Sequence, residues 1–272
     1  MTVVYAVSQN KGGAGKTTLV TNLAGALAKK HRKKVLIIDT DGQGNSAMAF
    51  GISNPHTEIE NTIYDILMGN KKPEDTILDF SKKLGLFSSG ALHIIPANNQ
   101  MNFLEFDILP NLNQYGNPFQ LLKSALGEFI KQYDYVFVDT PPSLSLVQGN
   151  VLSLADKVII PFHPEPYGDI GLINVIDVIN DFKAKENPEL EIAGVACMKV
   201  ETVNAVHNDM LQVVRAYCHE QRIPVFETII PKRARYVQSV AYEGRPSTLT
   251  KQKKKDDAKV YFNLLNEVLK NE

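Results

Sequence analysis

The stretch QNKGGAGKTT, Gln9 to Thr18, constrains this chain more than any other. It follows an apolar run, Val3 to Ser8, and precedes leucines at 19, 23 and 27. Leucines at that spacing line one face of a helix. Strand, glycine loop and helix in that order are the setting in which a phosphate-binding loop works. Gly12, Gly13 and Gly15 let the backbone turn tightly with its N–H groups facing inward. Together with the helix N-terminus they make a nest for phosphate oxygens. Lys16 is placed to reach β- and γ-phosphates, and the Thr17 hydroxyl to ligate Mg²⁺. The common pattern G-x-x-x-x-G-K-[ST] asks for glycine at position 10. Asn10 stands there instead, and a second lysine, Lys11, opens the loop.

Further apolar runs recur at wide spacing: Val35–Asp39, Tyr135–Asp139, Lys157–Pro161 and Ile192–Met198. They are continuous rather than alternating, as in strands buried on both faces of a parallel sheet. Helical patterns lie between them, at Phe119–Gln132, Gly168–Phe182 and from Met210 to Glu220. Strands alternating with helices predict an α/β fold, a doubly wound, mostly parallel sheet flanked by helices. Residues 45–113 read as a less regular elaboration, with a short helix at Thr62–Met68 and a strand at Leu92–Ala97. A last helix spans Asp256–Leu269. Without internal repeats or low-complexity segments, residues 1–272 read as one domain.

Two aspartates end buried strands. Asp139, in VFVDTPPS, is placed to hold Mg²⁺ through water at the carboxyl edge of the sheet. In IDTDGQGN, Asp39 ends a strand and Asp41 stands two residues on in the loop. Two such carboxylates can position Mg²⁺ and orient an attacking water. Read alone, the same stretch is a turn rich in Asp, Gly and Asn.

The net charge of -1 confines any nucleic-acid contact to a local patch. The two cysteines, Cys197 and Cys218, lack metal-like spacing and point to a reducing compartment. No charged leader with an apolar core precedes the first strand, and no 18-residue apolar stretch occurs. These features predict a cytoplasmic protein.

KGGAGKTT, LIIDTDGQGN, YVFVDTPPS and VIIPFHPEPYGDIGL resemble the ParA/Soj family of partition ATPases. That family belongs to the deviant Walker A group of P-loop NTPases, with MinD and the nitrogenase iron protein. TIIPKRARYVQSVAYEGRPS and DDAKVYFNLLNEVL resemble its closing segments, so the resemblance covers nearly the whole chain. It implies ATP and Mg²⁺ as ligands, with Lys11, Gly12, Gly13, Ala14, Gly15, Lys16, Thr17 and Thr18 around the phosphates. It implies that Lys11 crosses the interface of an ATP-sandwich homodimer to the partner's nucleotide, that Asp41 is critical for hydrolysis and that Asp39 is associated with Mg²⁺. Pro231 matches a turn whose backbone lies near adenine. CMKVETVN departs from the family's sequence at Met198 to Val200, which leaves base readout open. No separate N-terminal helix-turn-helix is expected ahead of the loop.

The resemblance further implies non-specific DNA as a partner, a ParB-like centromere-binding protein that stimulates hydrolysis, and a nucleoid-associated ATP-bound state. Arg235 matches a family arginine implicated in binding DNA. Lys232, Arg233, Arg245, Lys251, Lys253, Lys254 and Lys255 are the other clustered cations suited to phosphates. Lys29 to Lys34 reads as a solvated helix end, where cations complement the dipole. The alternative is a MinD-like ATPase that cycles on membranes. Such an anchor wants a basic polar face, and the last helix carries a mixed one beside Val260, Leu264 and Val268. A helix docked on the core, with no membrane partner, is therefore expected.

Overall fold

The structure, a computed structural model, describes residues 1–86, 90–166, 168–250 and 258–270. Within them a seven-stranded sheet forms from β1 (Val3–Val7), β2 (Lys34–Asp39), β3 (Leu78–Asp79), β4 (Ala91–Ile95), β5 (Tyr135–Asp139), β6 (Lys157–Phe162) and β7 (Glu191–Cys197). Their order is β3-β4-β2-β5-β1-β6-β7, and only β3, against β4, runs antiparallel. The longer helices are α1 (Lys16–Lys30), α2 (Leu146–Leu154), α3 (Gly168–Lys185), α4 (Ala205–Glu220), α5 (Ala234–Glu243) and α6 (Lys259–Lys270). This is the doubly wound, mostly parallel sheet expected from the apolar runs.

Each central strand buries both faces. Tyr5, Val35, Ile37 and Phe137 pack with Leu19, Leu23 and Leu27 of α1 and with Tyr261, Leu264, Leu265 and Val268 of α6. Val4, Leu36, Ile38, Val136 and Val138 pack on the other side with α2, α3 and α4. Truncating one of these leucines to alanine costs about 2–5 kcal/mol. The apolar face of the last helix is thus occupied by the core, as its mixed polar face indicated. Among the described residues, no helix is long and apolar enough to cross a membrane.

The helix expected at Phe119–Gln132 is broken. Pro118–Gln120 and Phe129–Gln132 are 3₁₀ turns around a short α-helical piece, Leu121–Leu126. Leu122, Leu126 and Ile130 are buried at helical spacing. Gly127, a poor helix former, follows the α-helical piece, and the chain tightens before dropping into β5. Helix α2 lacks an amphipathic stripe because all nine of its residues are buried.

The topology positions the site. Strand β5 inserts between β1 and β2, so the chain reverses its winding there. The carboxyl ends of β1, β5 and β2 then lie side by side, where open α/β sheets bind ligands.

Candidate phosphate-binding site

The glycine loop leaves β1 and enters α1 at this edge. Gly15 has φ 96°, a left-handed conformation that side chains rarely adopt. A Cβ there would also lie 3.1 Å from the Met198 Cε. No side chain caps α1 and its first turn holds no acidic residue, so its amide groups are left for an incoming anion. Lys16 is 7% exposed and its Nζ donates to the Gln9 carbonyl at 3.0 Å. Burial lowers its pKa, and the charges of Asp139 and Asp41 oppose that shift.

Asp39 and Asp139 are register partners on β2 and β5, and both are fully buried. Asp39 accepts from the amides of Asp41 and Ser46, each at 3.0 Å. The Ser46 hydroxyl donates to Asp139 Oδ2 at 3.0 Å, and the Thr17 hydroxyl bonds to the same carboxylate. Oδ1 of Asp139 has no hydrogen-bond partner. Burial pushes Asp139 up to about 6. Asp39 is raised well above the usual carboxylate range, by burial first and then by Asp139. Thr40 and Thr140 tie the strand ends together, donating to the carbonyls of Asp139 and Val7. Two buried, repelling carboxylates with one orphaned oxygen favour a cation between them and the loop. One or two carboxylates, a hydroxyl and substrate oxygens are a donor set suited to Mg²⁺. Asp41 is half-buried above the pair, and its Oδ1 accepts from the Gln43 amide at 3.0 Å.

Lys11 stands at the rim. Its side chain is 37% exposed and pairs with Glu165 Oε2 at 2.5 Å within the same chain. Oε1 of Glu165 meets His163 Nδ1 at 3.1 Å, and the His163 ring stands edge-on to His207. Lys199, at φ 55°, donates to the Gly13 carbonyl at 2.5 Å. Ala14 is buried, and the Thr18 carbonyl accepts from Asn22 at 2.8 Å inside α1. Pro231 bridges to Val200, so that turn and the Met198–Val200 segment reach the loop together.

The expected DNA contacts are less unified. Lys232 pairs with Glu201 at 2.7 Å, and Arg235 with Glu243 at 3.0 Å. Arg233 precedes α5 and Arg245 follows it. Arg235 reaches along α5 to Glu243, whose carbonyl accepts from Arg245, whereas Lys232 turns away to Glu201. Lys251, Lys253, Lys254 and Lys255 lie outside the described residues. Sequence reasoning missed Ser46, Glu165, His163 and Lys199. The motif HPEP, directly after β6, offered the only local signal for the rim pair. Cys197 and Cys218 are both buried, and burial raises both thiols.

A family model described as an AAA domain matches residues 2–192. A ParA family protein of Mycoplasma pneumoniae is 32% identical over 252 residues, which cover 91% of this chain and 89% of that protein. The sporulation initiation inhibitor protein Soj of Bacillus subtilis is 30% identical, with 98% of each chain covered. Among solved structures, a putative plasmid partition protein of Borrelia burgdorferi, bound to AMPPNP, superposes with a TM-score of 0.76. It is 27% identical, with 99% of each chain covered.

Proposed function

Because the chain belongs to the ParA family, we propose that it is an ATPase of DNA partition whose ATP-bound form is a homodimer. The observation that carries this reading is the buried Asp39–Asp139 pair beside the glycine loop, with one carboxylate oxygen left unpartnered. Thr17, Asp139 and Asp39 would hold Mg²⁺, which neutralises phosphate and carboxylate charge when bound. Lys16 exchanges the Gln9 carbonyl for the β- and γ-phosphates of its own nucleotide. The free amides at the start of α1 and the loop glycines cradle the same anion. The Asp41 carboxylate, fixed by the Gln43 amide, orients the attacking water. Pro231 lies near the base. Lys11 leaves Glu165 and reaches the partner's nucleotide, supplying positive charge in trans.

In this reading residues 1–272 act as one ATPase domain. The ATP dimer binds DNA without sequence preference and associates with the nucleoid in the cytoplasm. A ParB-like protein bound to a centromere stimulates hydrolysis and so releases the dimer. The membrane-cycling alternative is weakened by α6, whose Tyr261, Leu264, Leu265 and Val268 are buried in the core.

Retention on mixed-sequence duplex DNA, measured across salt with ATP, ADP and no nucleotide, tests the proposal. Retention that falls steeply with salt and needs ATP is expected. Equal retention in all three states, or vesicle binding without DNA binding, would overturn it.

A further inference from the structure

The sequence directs attention to the Lys232 end of α5, but Lys232 and Arg235 already hold carboxylate partners. The other end of that helix is built differently. Helix α5 stops at Gly244, which has φ 56°. Gly51, at φ 87°, touches it, and a Cβ on Gly51 would lie 3.3 Å from Gly244 Cα and 3.0 Å from Lys83 Nζ. Two left-handed glycines therefore press distant loops together, with the Lys83 ammonium against Gly51 and Arg245 next in the chain after Gly244. Lys83 donates to the Phe50 carbonyl at 2.9 Å, and Arg245 to the Glu243 carbonyl at 3.3 Å.

Beyond Arg245, the Ser247–Leu249 turn lies against α1. Gly25 makes room for it, since a Cβ there would meet Thr248 Oγ1 at 2.8 Å. Thr248 is fixed by its amide donating to the Asn22 side chain and its hydroxyl to the Asn22 carbonyl, each at 3.1 Å. Lys29 donates to the Thr248 carbonyl at 3.1 Å. Burial lowers the Lys29 pKa, and the positive charge of Arg245 lowers it further, so two cations face each other. Lys30 lies over the Phe262 ring, 5.7 Å from its centroid. Among the described residues, no Asp or Glu forms an ion pair with Lys29, Lys30, Lys83 or Arg245.

We propose that Lys29, Lys30, Lys83 and Arg245 form a binding face for the phosphates of a nucleic-acid backbone, and that Lys232 and Arg235 contribute less. The inference rests on the DNA reading above and relocates its contact surface. A cation bonded to a main-chain carbonyl keeps its full charge and spare N–H donors for a phosphate. One paired with a carboxylate exchanges one ion contact for another, so its net gain from a phosphate is smaller. The carbonyl bonds also pre-position three of the four cations from separate parts of the chain. Lys29 and Lys30 therefore do more than complement the end of α1.

The test uses the full chain with ATP on mixed-sequence duplex DNA across a salt series. The variant Lys30→Gln/Lys83→Gln alters two exposed members and leaves Lys29 and Arg245 in place. It is expected to lower affinity more than about tenfold and to flatten the log–log salt slope by about 0.9 for each phosphate no longer neutralised. The variant Lys232→Gln/Arg235→Gln is expected to change affinity less than about threefold, because each charge is already neutralised. ATP binding should match the unaltered chain in both. If the first variant binds ATP poorly, Lys83→Gln alone supplies the slope. An unchanged slope in the Lys83 variants, or a larger drop in affinity in the Lys232 variant, overturns the inference. An unaltered chain that retains no duplex overturns the DNA reading itself.

Discussion

The two lysines of the glycine loop occupy opposite environments. Lys16 is buried, rests on a carbonyl of its own loop and faces Asp41 and Asp139. Lys11 is partly exposed and holds one carboxylate, Glu165, at the rim. A desolvated cation with only a neutral acceptor gains a great deal when an anion arrives. A rim ion pair contributes only about 0.2–1 kcal/mol and is readily exchanged. The first geometry commits a lysine to its own nucleotide. The second leaves a lysine available to another molecule.

The largest effects are expected from removing each lysine. Lys16→Ala should weaken ATP binding by about a hundredfold or more, the usual cost of truncating one member of a buried charge pair. Lys11→Ala should leave monomer ATP binding within about threefold, because only an exposed side chain is removed. It should abolish ATP-dependent dimerisation in sedimentation. Titration calorimetry showing equal reductions of ATP affinity would erase the distinction between the two ends of the loop.

Asp41 separates binding from chemistry at the Lys16 end. Asp41→Ala should keep ATP binding and the dimer while turnover falls by about a hundredfold, a typical loss for a positioned acid–base group. Phosphate release measured at saturating ATP decides it. Unaltered turnover would remove Asp41 from the hydrolytic role.

The carboxylate pair gives a smaller effect with a definite sign. Asp139 rises from 3.8 to about 6 on folding, chiefly through burial. The native state then holds the proton more tightly than the unfolded chain. Its contribution to stability is fully present below 3.8 and is lost as pH rises through about 6. Nucleotide-free Asp139→Asn should therefore melt a few degrees higher than the unaltered chain near neutral pH, and the gap should close on acidification. Its ATP affinity should depend less on Mg²⁺, since Thr17 and Asp39 remain. A gap that widens on acidification would contradict the burial argument.

These environments were unequally legible in the sequence. The loop, its strand and α1 were legible because a continuous apolar run, a glycine cluster and a leucine stripe sit next to one another. Asp39 and Asp139 were each legible as strand-ending acids. Their adjacency was not, since it arises from β5 inserting between β1 and β2. Ser46 reaches Asp139 across 93 residues, an interaction with no local pattern. Helix α2 was hidden by its own burial, because a helix covered on every side shows no polar stripe. Glu165 was hidden for the opposite reason, being an exposed acid whose meaning depends on Lys11 lying opposite.

The Lys11–Glu165 pair also sets how easily the rim lysine is released. If Lys11 is held in its own chain only by Glu165 and the field around it, weakening that hold should favour the exchange. Glu165→Gln keeps the size of the side chain and removes its charge. The dimer should then form at about two- to fivefold lower ATP concentration, consistent with removing one exposed ion pair. Monomer ATP affinity should not change, because Lys16 and the carboxylate pair are untouched. The effect should shrink at high salt, which screens the pair in the unaltered chain as well. His163 also contacts Glu165, so His163→Gln is a useful companion. It frees one carboxylate oxygen and should tighten the hold on Lys11, moving the dimerisation midpoint the opposite way. Sedimentation against ATP concentration reads both variants. If both shift the midpoint in the same direction, the rim pair does not restrain Lys11, and only burial separates the two lysines.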